Sequence, residues 1–440
     1  MNILEKARED INRIDSEIAH LFEERMAAVA SVAAYKAENG LPILDAKRER
    51  EVIEKGISRL KDASLSPYYE RFQEGLMAVS RERQAELLEK LKKEGEPRSV
   101  STYRKYRLSV PGGFYDIHFD REGLSRICEY FNLSRRVLVL TDSGVPKEYA
   151  ERVLSACAEG YIVTVPEGEE SKSLETLKVV EDALLSHGFT RHDALVAVGG
   201  GVVGDLGALC ASLYMRGIDF YNVPTTVLSM VDSSVGGKCA VNFEGVKNIL
   251  GAFYQPKGVL IDPNLLCTLP KRQISAGLAE VVKIALTSDA ELFSRFEEHE
   301  ITLDTIDDVL YRAVVLKAKV VCQDEKEAGL RKILNFGHTY GHAIESYTGM
   351  SELLHGECVA LGMLPMCSEN VRKRLLGVLT RLDLPTTPPS KISEILPLAM
   401  KDKKRVGNAI DCVLVDEVGS CRIQRLSTEE FAQKILHYDN

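Results

Sequence analysis

The sequence has no uninterrupted apolar stretch approaching the ~20 residues of a membrane span. Its first residues, Met1-Asn-Ile-Leu-Glu-Lys6, lack the apolar core of a secretory signal. A membrane-spanning or secreted chain is therefore not expected. The ten cysteines lack paired spacing, and Cys128, Cys210 and Cys358 sit in apolar surroundings. Such thiols read as reduced and buried, the usage of a cytoplasmic protein. A basic excess is missing too: 56 Lys and Arg against 65 Asp and Glu leave a net charge of −9. That argues against nucleic acid as the main partner. No internal repeat or low-complexity tract interrupts the 440 residues, of which 45% are apolar. Such a chain is globular, with room for two or three domains.

Residues 1–92 contain no strand-like run and almost no proline, which predicts an all-helical first domain. Residues 93–103, polar with Gly, Pro and Ser, read as a linker. From 104 to 268 the texture changes. Short runs at Val137–Leu140, Ile162–Val165, Leu195–Val198, Phe220–Val223 and Val259–Ile261 alternate with helical segments. This is the pattern of βαβ units around a parallel sheet. Residues 269–440 are mainly helical in period, with a last pair of strands expected at 410–415 and 420–425. The predicted class is multidomain: an α-helical bundle, then a Rossmann-like α/β domain, then a mainly helical domain.

Arg8, Ile11, Asp15, Ile18, Phe22, Arg25, Val29, Val32 and Lys36 recur three or four apart and share one helical stripe. A pattern of ~35 residues implies a helix about 50 Å long. A small domain alone cannot cover it, so an oligomer of long helices is expected. Arg8, Arg25 and Lys36 lie on the apolar stripe, and buried cations are costly unless paired. Either their stems lie on the core with the charges in water, or an anionic ligand sits inside the bundle. Three cations in register, joined by Asp45, Arg48, Glu49, Ser80 and Gln84, favour the ligand.

Residues 3–90 resemble the all-helical chorismate mutases, which build three helices per subunit into an intertwined dimer. The matching segments are Ala7-Arg8-Glu-Asp-Ile-Asn-Arg-Ile-Asp15, Glu24-Arg25, Lys36, Pro42-Ile-Leu-Asp45-Ala-Lys-Arg48-Glu49-Arg50 and Ser80-Arg-Glu-Arg-Gln84. The resemblance implies that Arg8, reaching across from the partner subunit, and Arg25, Lys36 and Arg48 hold the carboxylates and ether oxygen of chorismate. Glu49 would bind its hydroxyl, and Gln84 the ether oxygen beside Lys36. A pericyclic rearrangement to prephenate needs a compact conformer and positive charge, not a nucleophile. The competing expectation is a module that only senses such a ligand and dimerises.

Val196-Ala-Val-Gly199-Gly-Gly-Val-Val-Gly-Asp205 follows a strand-like run and opens a helix. Such a turn lets backbone approach a pyrophosphate at a helix N-terminus, although its spacing is not the common dinucleotide fingerprint. Further on, three of the nine histidines fall within eighteen positions: His338, His342 and His355. Clustered imidazoles hold a metal or move protons. The i, i+4 spacing pairs His338 with His342; His338 with His355 is a second candidate pair. Glu280 is a candidate carboxylate ligand, with Lys283 one turn on.

These segments resemble 3-dehydroquinate synthases over residues 104–440. The motifs are Gly199-Gly-Gly-Val-Val-Gly-Asp205, Tyr214-Met-Arg216-Gly, Pro224-Thr-Thr, Val231-Asp232-Ser-Ser-Val-Gly-Gly-Lys238, Leu278-Ala-Glu280-Val-Val-Lys283, Leu334-Asn335-Phe-Gly-His338-Thr-Tyr-Gly-His342, His355-Gly-Glu and Asp402-Lys403-Lys404. The resemblance implies a divalent metal, normally Zn2+ with Co2+ as an alternative, on Glu280, His338 and His355, with His342 facing substrate. NAD would bind through Asp142, Glu169, Lys172, Gly200, Gly201, Asp205, Thr225, Thr226 and Lys247. The substrate shell would be Asp232, Lys238, Asn248, Lys283, Lys317, Arg331, Asn335, His342 and Lys403, with Arg216 from a neighbouring subunit of a homodimer. The family reaction converts 3-deoxy-D-arabino-heptulosonate 7-phosphate to 3-dehydroquinate and phosphate. A substrate with a carboxylate and a phosphate calls for this many cations in a negatively charged chain. The runner-up is a metal- and NAD-dependent polyol dehydrogenase. Two departures stand out: Val246 replaces a usual Gly, and Gly144 a frequent Asn.

Overall fold

The computed structural model describes residues 3–38, 46–95, 103–349, 352–399, 405–406 and 409–437. The chain divides into two compact units, Met1–Ser101 and Thr102–Asn440.

The first unit is helical: Ile3–Glu38, Ala46–Ile57 and Ser66–Gly95, with a short turn at Ala63–Leu65. The Asp62 side chain caps that turn by accepting from the Ser64 amide. The first helix has 36 residues, as its periodicity predicts. Its stripe is only partly covered within one chain. Val29 is buried, but Ile11, Ile18, Phe22 and Val32 are 39 to 56% exposed.

The second unit is built on a seven-stranded sheet. In chain order the strands of this unit are β1 (Arg104–Val110), β2 (Gly113–Phe119), β3 (Arg136–Asp142), β4 (Glu159–Val165), β5 (Ala194–Gly199), β6 (Asp219–Pro224), β7 (Lys238–Phe243), β8 (Val246–Phe253), β9 (Gly258–Ile261), β10 (Arg405–Val406), β11 (Ala409–Glu417) and β12 (Ser420–Ser427). The main sheet runs β1-β2-β9-β6-β5-β3-β4. All neighbours are parallel except β1 with β2. β5 and β9 are buried on both faces, which is why they read as unbroken apolar runs.

Chain order reverses between β3 and β5. From β3 the chain steps outward to β4, then crosses back to β5, β6 and β9. The crevice outside the carboxyl ends of β3 and β5 is therefore the topological switch point, where open parallel sheets bind ligands. In register, Gly199 pairs with Pro224 and Asp142 with Val165, so four strand-end loops lie along one edge.

Two hairpins escaped the sequence reading. β1 is a half-polar edge strand, joined to β2 through Pro111-Gly112 with Gly112 at φ +91°. β7 and β8 form a separate two-stranded ribbon. Its turn resolves the Val246 departure: Glu244 and Gly245 take φ +49° and +73°, closing a two-residue hairpin on the Phe243–Val246 pair. A glycine at 246 is not needed there.

The remainder is mainly helical and includes the sheet β10-β11-β12, which contains the two predicted C-terminal strands and is followed by a helix at Thr428–Leu436. One continuous core joins the main sheet (Val196, Val259) to the helices (Leu278, Leu310, Val359, Phe431). Among the described residues, no helix is long and apolar enough to cross a membrane.

Candidate active site

Three helices bring the histidine block to Glu280. Lys271–Ser288 carries Glu280 and Lys283, both essentially unexposed. His338–Tyr347 starts directly after Gly337, which takes φ +76°. His355–Met363 starts at His355, where Glu357 accepts from the Leu354 amide at 2.7 Å and is clamped by Arg272 at 2.7 Å. Close approach of these helices depends on glycine. A Cβ on Gly356 would stand 1.8 Å from the Ala276 carbonyl oxygen, and one on Gly362 1.9 Å from that of Gly337. Gly356→Ala should destabilise the protein by about 2–3 kcal/mol through overpacking against backbone. Urea unfolding would measure it, and an unchanged midpoint would refute the close packing.

At the convergence, neither carboxylate oxygen of Glu280 has a hydrogen-bond partner. Glu280 Oε1 lies 3.8 Å from His338 Nε2 and 3.7 Å from His355 Nε2. Oε2 forms an ion pair with Lys283 Nζ at 2.5 Å, without hydrogen-bond alignment. Ring atoms of His338, His342 and His355 all come within 4.8 Å of one another. His338 Nδ1 meets the Phe336 carbonyl at 3.1 Å; donating there turns the Nε2 lone pair toward Glu280. A buried, unsatisfied carboxylate oxygen facing two imidazole nitrogens fits a divalent cation with N and O ligands. Proximity alone admits His342 as a ligand as well; Glu280 faces His338 and His355.

Sequence reasoning missed Glu345. It follows His338 and His342 on one helical face, and that spacing was the available signal. Its Oε2 lies 3.4 Å from His355 Nδ1 and its Oε1 2.8 Å from Lys247 Nζ. Burial pushes the Glu345 carboxyl up, but the His355 and Lys247 contacts bring it down to about 2. Burial likewise disfavours the His355 cation, yet Glu345 and Glu280 hold its pKa above the usual histidine value. Carboxylates that favour a proton there favour a metal cation equally.

Cations ring this centre. Lys317 Nζ meets both the carboxylate and the carbonyl of Asp232 at 2.5 Å, and Asp232 lies in a wide helical turn at Ser229–Ser233. Burial pushes the Asp232 carboxyl up, but Lys317 and Lys283 more than reverse it, holding it well below the carboxylate range. Burial lowers the Lys317 and Arg331 pKa values, opposed in part by Asp232 and by Glu327 respectively. Arg331 is buried, with Nη1 on the Glu325 and Gly236 carbonyls. Lys238 and Asn335 both contact the carboxylate of Glu327, a second residue the sequence reading missed, which takes φ +60°.

At the switch point, Gly200 caps the helix Gly201–Leu213. Lys172 Nζ joins Asp205 at 2.7 Å and Asn248 at 2.6 Å, with Glu169 at 3.9 Å. Asn248 thus stands with the expected cofactor residues, placed by its own φ of +52° within β8. Burial raises the Asp205 carboxyl, offset in part by Lys172. The Thr225 amide bonds the Gly199 carbonyl, and Thr226 bonds Ser229. Asp142 spends Oδ1 on its own turn, accepting from the amides of Gly144 and Val145. A Cβ on Gly144 would meet the Glu167 carboxylate at 2.2 Å. Arg216 is exposed, with φ +66° after Met215 at +52°. Lys403 lies outside the described residues.

In the first unit, Arg25 donates to Ser80, and Ser80 and Gln84 are buried. Gln84 Oε1 has no partner. Glu49 is held by Arg81, whose Nη1 reaches both carboxylate oxygens at 2.7 and 2.6 Å. Arg8 and Arg48 are exposed, and Arg48 pairs with Glu51 at 3.4 Å. The Lys36 side chain and Asp45 lie outside the described residues.

Residues 162–276 match the model of the 3-dehydroquinate synthase N-terminal domain, and 277–405 its C-terminal domain. Residues 7–85 match chorismate mutase type II. A 3-dehydroquinate synthase from Pelobacter propionicus is 42% identical over 341 residues, covering 72% of this chain and 94% of that protein. Among solved structures, a 2-epi-5-epi-valiolone synthase from Streptomyces hygroscopicus, bound to NAD+ and Zn2+, is 30% identical with TM-score 0.68. It covers 76% of this chain and 99% of its own. A 2-deoxy-scyllo-inosose synthase with carbaglucose-6-phosphate, NAD+ and Co2+ is 25% identical with the same TM-score and coverage. With the polar convergence on Glu280 and the glycine turn at the sheet's switch point stands this kinship: the chain belongs to the 3-dehydroquinate synthase family and carries a chorismate mutase type II segment ahead of it.

Proposed function

We propose that the second unit converts 3-deoxy-D-arabino-heptulosonate 7-phosphate to 3-dehydroquinate and phosphate, with NAD and a divalent metal. We propose also that the first unit rearranges chorismate to prephenate as a dimer. The observation that carries the first reading is the unsatisfied Glu280 oxygen facing His338 and His355 inside a ring of cations. Glu280, His338 and His355 would hold the metal. Lys172, Glu169, Asp205, Thr225, Thr226 and the Gly200 turn would hold NAD at the switch point. When bound, NAD supplies a reversible hydride acceptor, and zinc or cobalt polarises substrate oxygens.

The chain's own residues do the rest. Lys283, Lys317 and Arg331 offer buried positive charge to a carboxylate and a phosphate, where low dielectric makes it effective. Lys317 and Asp232 fix one another and present a donor and an acceptor to substrate hydroxyls. His342, beside the ligand set, is placed to hold and move a proton. Lys238 and Asn335, gathered on Glu327, face the same shell. In the first unit, the uncovered Ile11, Ile18 and Phe22 stripe supports burial by a second copy, which would also bring Arg8 to a partner's site.

Phosphate release from the heptulosonate phosphate tests the reading. Turnover should stop on chelation, return with Zn2+ or Co2+, and require NAD without accumulating NADH. Net NADH formation would assign a polyol dehydrogenase instead. Chorismate consumption by the full chain, lost in Arg25→Ala, would establish the mutase; a folded chain that binds chorismate without turnover would make the first unit a sensor.

A further inference from the structure

We propose that Glu345 is a positioning residue, which fixes the ring orientation and tautomer of His355 from behind the metal site. The inference rests on the reading of Glu280, His338 and His355 as ligands. Three observations carry it.

The two Glu345 oxygens are divided between two partners. Oε2 takes His355 Nδ1 at 3.4 Å, and Oε1 takes Lys247 Nζ at 2.8 Å. On the other side of the ring, His355 Nε2 faces Glu280 Oε1 at 3.7 Å, beyond hydrogen-bond distance. A neutral imidazole has one N–H. Donating it from Nδ1 to Glu345 leaves the Nε2 lone pair on the Glu280 side, where a cation would sit.

His338 is oriented in the same sense by a different acceptor. Its Nδ1 meets the Phe336 carbonyl at 3.1 Å, leaving Nε2 toward Glu280. Both histidines therefore have Nδ1 occupied and Nε2 presented to one carboxylate. A carboxylate behind a ligating histidine also raises the basicity of the ring, which a carbonyl does less.

The Glu345 side chain is only 14% exposed, so it is not a solvated surface charge. Lys247 anchors it from β8, the strand bulged at Asn248. The plain alternative is a Lys247–Glu345 ion pair that braces the fold, with His355 as a bystander.

The test uses the full chain stripped of metal. Zinc affinity is read by competition with a chromogenic chelator, and Co2+ by its visible spectrum. Glu345→Gln keeps the shape and should weaken zinc binding about 10–100-fold and shift the Co2+ bands. Lys247→Met breaks the ion pair but leaves the carboxylate on His355, and should keep zinc affinity within a few-fold. The inference is overturned if Glu345→Gln binds zinc and cobalt as wild type does. Equal loss in Lys247→Met and Glu345→Gln would overturn it too, since that is the bracing role. Unchanged zinc affinity in Glu280→Gln would instead remove the ligand assignment, and this inference with it.

Discussion

Glu280→Gln should abolish most phosphate-releasing activity, by roughly 10³-fold or more. A ligand-bound cation contributes several kcal/mol of charge stabilisation, and about 4 kcal/mol is 10³ in rate. The substitution preserves volume but removes the charge that faces His338 and His355. It also leaves Lys283, essentially unexposed, without its 2.5 Å partner. The two losses separate experimentally. Zinc should raise the wild-type unfolding midpoint, by about 2.7 kcal/mol of stability at a hundredfold excess over Kd. The variant should show no zinc-dependent shift. A Glu280→Gln enzyme that retains both activity and the zinc shift would refute the centre.

Lys317→Met should have the next largest effect, a fall in kcat/KM of about 10²–10³-fold, with a stability loss of about 1–3 kcal/mol. Lys317 donates to the carboxylate and carbonyl of Asp232, and its ammonium is buried. Its removal leaves a carboxylate whose burial then acts unopposed by its nearest cation, so the Asp232 pKa should rise. Adding Asp232→Asn should recover stability, because the uncompensated charge is gone, but not activity. Non-additivity in unfolding free energy, with additive or deeper loss in turnover, is the expected cycle. Full rescue of turnover by the double variant would mean the pair is only structural.

Much of the scaffold was legible in the chain. All five apolar runs became parallel strands; four are buried strands with no polar face to interrupt them, and β4 is the half-exposed end of the sheet. The long first helix followed from a stripe with 3.6 periodicity. β1 and β2 were not legible as strands, because both mix polar and apolar residues over a short length, and β1 is the sheet's half-exposed edge. Their Pro111-Gly112 turn was the one readable sign.

The candidate site divides in the same way. The histidine block and the glycine turn are local clusters, and residue type alone announced their chemistry. Spacing paired His338 with His342, because i, i+4 neighbours share a helical face. The fold instead sets His338 and His355 against Glu280, from three helices packed at glycine contacts. Glu345 and Glu327 look like ordinary surface acids in the sequence. They acquire roles only where helix 338–347 meets β8, and where a left-handed residue turns a carboxylate toward Lys238 and Asn335. The sequence by itself determined the elements and their chemical inventory, since periodicity and residue type are local. Tertiary structure decided which donor faces which acceptor, since that depends on helix approach distances and backbone turns between positions far apart in the chain.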